Sequence, residues 1–514
     1  MRKRDWRAGT IRCALAGAFL FAGACADGES PDRQRDDAIA EVASSAHALS
    51  AWESIPLAGR SEHGAVALDH DRVLVCGGLS EAWTDLSDCR ILNADSGSST
   101  AGPALPLPRR FMTLTRLSQT EPWPVLLVGG GQSPNLVANA LVGTEAGWVS
   151  EPALRRRYHT ATRLYDGSVL VVGGDNHAAA FVSEVQRRTP NGTWMDAGQQ
   201  ERLLHAAVVV NTEEGEGVLA VGGFDLAENA LGSMDLYEVD ANRWSTAGTL
   251  PEPRGWATAT ALDDGWVLIV GGVGSMRSIR PYPGALLFNV NTGEWSPANQ
   301  GVSLVPRMKH QAARIGRYVV VAGGLTEGPN QNTISLSSVQ VFDIETKTWA
   351  DLLPMTNARS LFELTALEGR LVASGGEGAI GSAEVLEPLS LGSSCESGVE
   401  CVSGHCEGAV CCESACSGAC STCNGETPGE CVVVEEGTPP ETLACDGYTC
   451  SAGECQDRCE RDADCIASHF CQNGACVERQ DLGDPCERAE QCGDGLSCTD
   501  GVCCETECGG QCEF

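Results

Sequence analysis

Seven times along this chain an unbroken apolar run ends in Gly-Gly: VLVCGG, VLLVGG, VLVVGG, VLAVGG, VLIVGG, VVVAGG and LVASGG. The first glycines are Gly77, Gly129, Gly173, Gly222, Gly271, Gly323 and Gly375. Each run is short, rich in β-branched residues and, Ser374 of the seventh apart, free of polar ones, the pattern of a strand covered on both faces. Upstream lies a segment such as HTATRL or HAAVVV and a turn with Asp, Asn or Gly (YDGS, TEEGEG, LDDGW). Downstream come a variable loop, a third strand (SMDLYEV, GALLFNV, SVQVFDI) and a fourth opened by Trp148, Trp194, Trp244, Trp295 or Trp349. Four strands recurring about every 50 residues predict blades repeated radially, as in a propeller.

A second spacing rule counts the same units. Ahead of each Gly-Gly stands Arg-x-x-Z: Arg60/His63, Arg109/Met112, Arg156/His159, Arg202/His205, Arg254/Ala257, Arg307/His310 and Arg359/Phe362. The seventh unit has its Gly-Gly and a third strand (AEVLEP), yet no Trp follows it. The missing piece stands at the other end: AWESIPLAGR, with Trp52 and Arg60 separated as Trp148 is from Arg156 and Trp194 from Arg202. Trp52 is therefore expected to complete blade 7, so that the first strand closes the ring and no sheet edge stays open.

Residues 52 to about 390 resemble the kelch-repeat β-propellers, which share their fold with the central domain of galactose oxidase. The resemblance implies an all-β, seven-bladed kelch-type propeller over residues 51–390, closed by the N-terminal strand. It implies no reaction. The copper ligands of galactose oxidase include a Tyr cross-linked to Cys, and the propeller segment offers only Cys76 and Cys89, so no ligand set transfers and no cofactor is expected. Blade 1 departs from the pattern, with Ser99 or Thr100 where Trp is expected. A Cys76–Cys89 disulfide between its second and third strands is the expected substitute.

The cysteines mark a boundary. Of 27 Cys, 23 lie between Cys395 and Cys512, in a stretch that from residue 395 onward carries 25 Asp+Glu against 4 Arg and no Lys. Residues 395–514 form the expected disulfide-rich tail. Three of its segments share C-x5-C-x4,5-C-x4-C, from Cys395, Cys459 and Cys486. They resemble the Dickkopf-type cysteine-rich module, and covalent links there must replace an apolar core. Connectivity is not readable from spacing. The last copy stops at CCETECGGQCEF, where the next residue would match Cys423, so the odd cysteine is expected to have its partner just past Phe514. Zinc is not expected, because Cys420 and Cys423 lack a second such pair.

At the other end, basic MRKRDWR, apolar CALAGAFLFAG and AGAC read as an export signal over residues 1–25, with 26–50 as a polar tether. Cys25 fits a permissive lipobox, and Ala22-Gly23-Ala24 also fits ordinary signal cleavage. Both routes lead to an oxidising compartment, either as an outer-membrane lipoprotein of a Gram-negative-type bacterium, held in the membrane by its lipid alone, or as a secreted protein. A net charge of −34 repels phosphate backbones and argues against a nucleic-acid partner.

The expected function is a cell-surface binding or adhesion protein whose loops take an extracellular protein or glycan. The candidate contacts are Arg277, Arg280 and Tyr282 after the fifth Gly-Gly, and Asn330 and Asn332 after the sixth, where loops are longest. The alternative is a secreted carbohydrate-active enzyme using the central pocket. His63, His159, His205 and His310 share one repeat position near the axis and are the weak metal candidates. Met112, Ala257 and Phe362 at the same position favour a packing role, and no catalytic motif is spelled out.

Overall fold

A computed structural model describes residues 52–387, apart from 133–134, 137–138, 154, 177–179, 299, 302 and 378–380, together with parts of 393–504. The signal, Cys25, the tether and residues 505–514 lie outside the described residues.

The buried runs are the second strands of seven blades, one per Gly-Gly, each built on four antiparallel strands, with a short fifth strand added in the second blade (Asn135–Leu136) and, paired parallel, in the sixth (Gln300–Gly301). Val169–Val172 is buried at all four positions, because its own sheet covers it edgewise and neighbouring blades cover both faces. The first strands are Gly64–Ala67, Arg110–Arg116, Thr160–Arg163, Ala206–Thr212, Thr258–Ala261, Gln311–Ile315 and Glu363–Ala366, and each touches the next in a closed circle about the axis. Apolar clusters lie between blades: Leu219, Val221 and Met234 of blade 4 pack on Val267, Ile269 and Phe288 of blade 5.

The two recurring motifs are halves of one joint. Each repeat Arg is buried and donates from Nη1 to the carbonyl of the first glycine of its own blade, at 2.5 to 3.2 Å in all seven blades. Its own carbonyl accepts the N–H of the second glycine of the preceding blade, at 2.7 to 2.9 Å, again seven times. Both glycines of each pair have positive φ. A Cβ on Gly222 would stand 2.1 Å from the Arg254 carbonyl oxygen, so a side chain is excluded by contact as well as by backbone conformation. The last link, Gly376 N–H to Arg60 O at 2.9 Å, joins blade 7 to blade 1.

Closure also uses the N-terminal strand. Glu53–Pro56 pairs antiparallel with Ser382–Leu386, as the outer strand of blade 7. Trp52 is 5% exposed and packs with Tyr318, Val320 and Met355 of blade 6 and Phe362 of blade 7. Its Nε1–H donates to Leu353 O at 3.1 Å, in the preceding blade. Trp148 and Trp244 make the same backward reach, to Pro103 O and Ala197 O, each at 2.8 Å. Trp52 is thus blade 7's tryptophan. In that blade the Arg359–Glu384 ion pair at 2.6 Å is fully buried, and Glu384 also accepts from Thr356 N–H and Asn357 N–H.

Register settles the irregular blade. Tyr237 faces Trp244 in blade 4, and the equivalent Leu92 faces Ser99 in blade 1. Cys76 lies opposite Cys89 across the second and third strands, and the two are bonded. In the tail all three repeats have one pairing, first to third and second to fourth cysteine: 395–406 with 401–411, 459–471 with 465–476, and 486–498 with 492–503. The first repeat continues with 412–423 and 416–431. Cys504 is disulfide-bonded, and the expected odd cysteine falls on residues outside those described.

Candidate functional site

Two residues after each repeat Arg the backbone turns left-handed: Glu62, Phe111, Tyr158, Leu204, Trp256, Lys309 and Leu361 have φ between 50° and 59°. For such residues this conformation costs on the order of 1 to 2 kcal/mol each. It is held by backbone hydrogen bonds running around the axis: Phe111 N–H to Glu62 O, Leu204 to Tyr158, Trp256 to Leu204, Lys309 to Trp256, and Glu62 to Leu361. The turn points seven side chains of six kinds, leucine alone occurring twice and all of them half-buried, into an axial bowl of about 790 Å³.

Aromatic faces and charges share the bowl. Phe111 and Tyr158 lie 4.6 Å apart between ring centres. The Arg157 guanidinium stacks 4.6 Å over Tyr158 and pairs with Asp175 at 2.8 Å. The Lys309 ammonium sits 4.5 Å over Trp256. Glu62 pairs with Arg110 at 2.8 Å, yet burial outweighs that cation and pushes its carboxyl above the usual range. Leu226 and Met276, from the loops after the fourth and fifth Gly-Gly, form part of the wall. Such a surface offers cation–π contact, apolar cover and charge at one place, all suited to recognition.

The four histidines do not converge on a metal. Each ring is wedged between blades, its Nε2 within 2.9 to 3.1 Å of a hydroxyl on the preceding blade: His63 with Ser374, His159 with Thr113, His205 with Thr160, His310 with Thr258. No three of the four come within ligating distance of one another. Burial, reinforced by the adjacent repeat arginines, lowers His63 and His159 to about 3 and holds His205 and His310 well below the usual range. The neutral rings leave Nδ1 without a partner. Met112 and Phe362 fill the same gap, against Gly77 and Gly323 of the preceding blades, which is why the position tolerates them.

The loop residues singled out from sequence lie on the wall, outside the bowl's lining. Arg277 reaches sideways to Glu228 at 2.6 Å and Arg280 to Glu327 at 3.1 Å, tying the loops of blades 4, 5 and 6 together. Tyr282 packs under the Arg254 guanidinium, 5.0 Å away. Asn330 and Asn332 are exposed at the tip of a hairpin formed by Leu325–Glu327 and Thr333–Ser335. Sequence reasoning passed over the axial ring because its signal is a position whose identity changes in nearly every copy, inside a motif otherwise fixed.

Seven blades built on four antiparallel strands, joined by one arginine and one glycine pair apiece around an axial bowl, give an all-β, seven-bladed propeller of kelch type. Comparison with known proteins agrees. Residues 158–376 match the family described as KLHDC2/KLHL20/DRC7 Kelch-repeats domain, and residues 458–505 match a domain of unknown function, DUF7107. The chain is 24% identical over 243 residues to alpha-scruin of Limulus polyphemus, covering 45% of this chain and 25% of that one. It is 25% identical over 203 residues to Kelch-like protein 38 of Mus musculus (39% and 32% coverage). With Kelch-like protein terF of Aspergillus terreus it shares 26% identity over 239 residues (43% and 50%). The chain therefore spans a quarter to a half of the length of these relatives.

Proposed function

We propose that this chain is an exported, envelope-held binding protein whose axial bowl receives a protruding element of an extracellular protein. The observation that carries the reading is the ring of seven axial residues. A strained backbone repeated seven times presents six different kinds of side chain, and structural economy alone would favour glycine there. Similarity to kelch-repeat proteins such as alpha-scruin and Kelch-like protein 38 is consistent with a protein partner.

The disulfides support export, since a reducing compartment would not keep so many closed. Intact mass of the protein expressed with its own signal in a Gram-negative host tests this. Diacylation at Cys25 is the expected result, and a full-length cytosolic species with its tail cysteines reduced defeats the reading.

Binding is tested by screening the full chain against a constrained-peptide library and a glycan array. Trp256→Ala removes an aromatic face and the seat of Lys309, and is expected to weaken selected peptides by tenfold or more; because the ring also packs on Phe224, the comparison is made at a temperature where the variant is shown to be folded. Peptides unaffected by that change would move the site off the bowl. Glycan binding alone, or turnover of an oligosaccharide, would favour the carbohydrate reading.

A further inference from the structure

Beneath the ring of axial residues, the innermost strands begin with a second circle of positions, each following Z: Gly64, Thr113, Thr160, Ala206, Thr258, Gln311 and Glu363. Three are threonines whose hydroxyls meet the histidines of the following blade. Blade 7 breaks the pattern with a carboxylic acid, and there His63 turns instead to Ser374, the residue directly opposite Glu363 in the sheet. The amide of neighbouring Gln311 is engaged with Phe362 O at 2.8 Å. Among the described residues nothing hydrogen-bonds the Glu363 carboxyl, which lines the cavity.

The bowl's charge has a sign. Of its lining acids, Glu62, Asp175 and Glu228 are paired with Arg110, Arg157 and Arg277, which leaves Asp225 and Glu363 against Lys309. Arg157 is committed to Asp175, and the nearby histidines His63 and His310 are neutral. A ligand bringing a cation down the axis would meet aromatic faces and then an unpartnered carboxyl.

We infer that Glu363 is the reading group of the bowl: it receives a single alkylammonium or guanidinium carried down the axis on a lysine or arginine side chain of the protein partner. This deepens the proposed binding function and rests on it. No partner group in the protein favours the ionised form, and burial pushes Glu363 up to about 8. The groups facing it are Gln311, Ser374, His63 and His310, none charged at neutral pH, with Glu62 and Lys309 in the ring above. Binding the cation below that pH therefore releases the carboxyl's proton to solvent and forms an N–H to carboxylate contact. Affinity then rises about tenfold per pH unit towards pH 8.

The test uses the full chain and two pools of disulfide-closed nonapeptides, identical except for Lys or Glu fixed at the apex, with n-butylammonium chloride as a small-amine arm. The Lys pool is expected to be retained at least tenfold better than the Glu pool at pH 8, with the advantage shrinking as pH falls to 6. Glu363→Gln is expected to abolish the discrimination. Because Gln311 holds the equivalent position in blade 6, the variant should fold, and its melting temperature checks this. If n-butylammonium binds as well as the Lys pool, the cation comes from a free amine and the assignment to a partner side chain falls. Retention indifferent to apex charge, or discrimination that survives Glu363→Gln, overturns the inference. If peptides are still lost in Trp256→Ala, the binding reading stands without it, and retention unchanged in both variants sinks the two together.

Discussion

Deleting residues 52–57 is expected to turn a cooperatively melting propeller into one that unfolds tens of degrees earlier or aggregates during expression. The segment contributes Trp52, Ile55 and Leu57, each 5% exposed or less. Burying such side chains is worth about 1.5 to 3 kcal/mol apiece, so the three together amount to roughly 5 to 9 kcal/mol. That is comparable to the whole stability of an ordinary domain, about 5 to 15 kcal/mol. The deletion also strips the backbone partners from Ser382–Leu386, leaving an apolar strand as an open edge. Trp52→Ala alone should cost about 3 to 5 kcal/mol, through the cavity it opens beside Tyr318 and Phe362. Substituting Trp83, which is 81% exposed, should change stability by no more than about 0.5 kcal/mol and serves as the control. Denaturant midpoints of the three variants decide the matter. A deletion variant melting within a few degrees of the parent would mean that the ring is closed by other contacts.

Acid should unfold this propeller through its histidines before its carboxylates. The four inter-blade rings are neutral in the folded state, with His63 and His159 at about 3, whereas an unfolded histidine titrates near 6.5. Below about pH 6.5 the unfolded chain binds protons that the folded one refuses. The stability contributed by neutral burial is therefore complete above that pH and drains away as pH falls towards 3. Each ring contributes a slope of about 1.4 kcal/mol per pH unit. Glu363 acts in the opposite direction, since its folded value of about 8 lies above its unfolded one and lowering the pH relieves it. Glu62, also raised by burial, adds to that relief. The net uptake between about pH 6.5 and 4.5 is two to three protons, or roughly 3 to 4 kcal/mol per pH unit. Urea midpoints measured from pH 7.5 to 4.5 should show this fall, and His159→Gln should lower the slope by one proton. A midpoint independent of pH across that window would mean that the buried rings accept protons in place.

How much of this was legible in the sequence depends on how far a position is constrained to one residue type. Gly-Gly is legible because a Cβ at Gly222 would collide with a backbone oxygen, and the arginine because it must span from its own carbonyl's neighbourhood to that of Gly271 in the case of Arg254. Blade 7's missing Trp and the surplus Trp52 followed from counting. The axial ring was hidden for the opposite reason. Its conformation is set by hydrogen bonds between blades, and nothing in Phe111, Tyr158 or Trp256 as residue types announces a left-handed turn. The histidines announced a shared position but not a direction. Whether a side chain at the start of the inner strand points to the axis or into the seam depends on packing against the preceding blade's glycine, as His159 packs on Gly129. Cysteine spacing defined the tail repeats without their pairing, because the alternatives differ only in three dimensions.

The pairing of Glu53–Pro56 with Ser382–Leu386 also sets an order of events during synthesis. The first of these strands leaves the ribosome hundreds of residues ahead of its partner, a wait on the order of tens of seconds at ordinary elongation rates. Throughout that interval Trp52 and Ile55 have nothing to cover them, and six blades accumulate behind an unattached leading strand. A nascent chain built this way needs a holdase, or transport in an unfolded state, until blade 7 emerges. Its yield should respond to chaperone supply more strongly than its final stability would suggest.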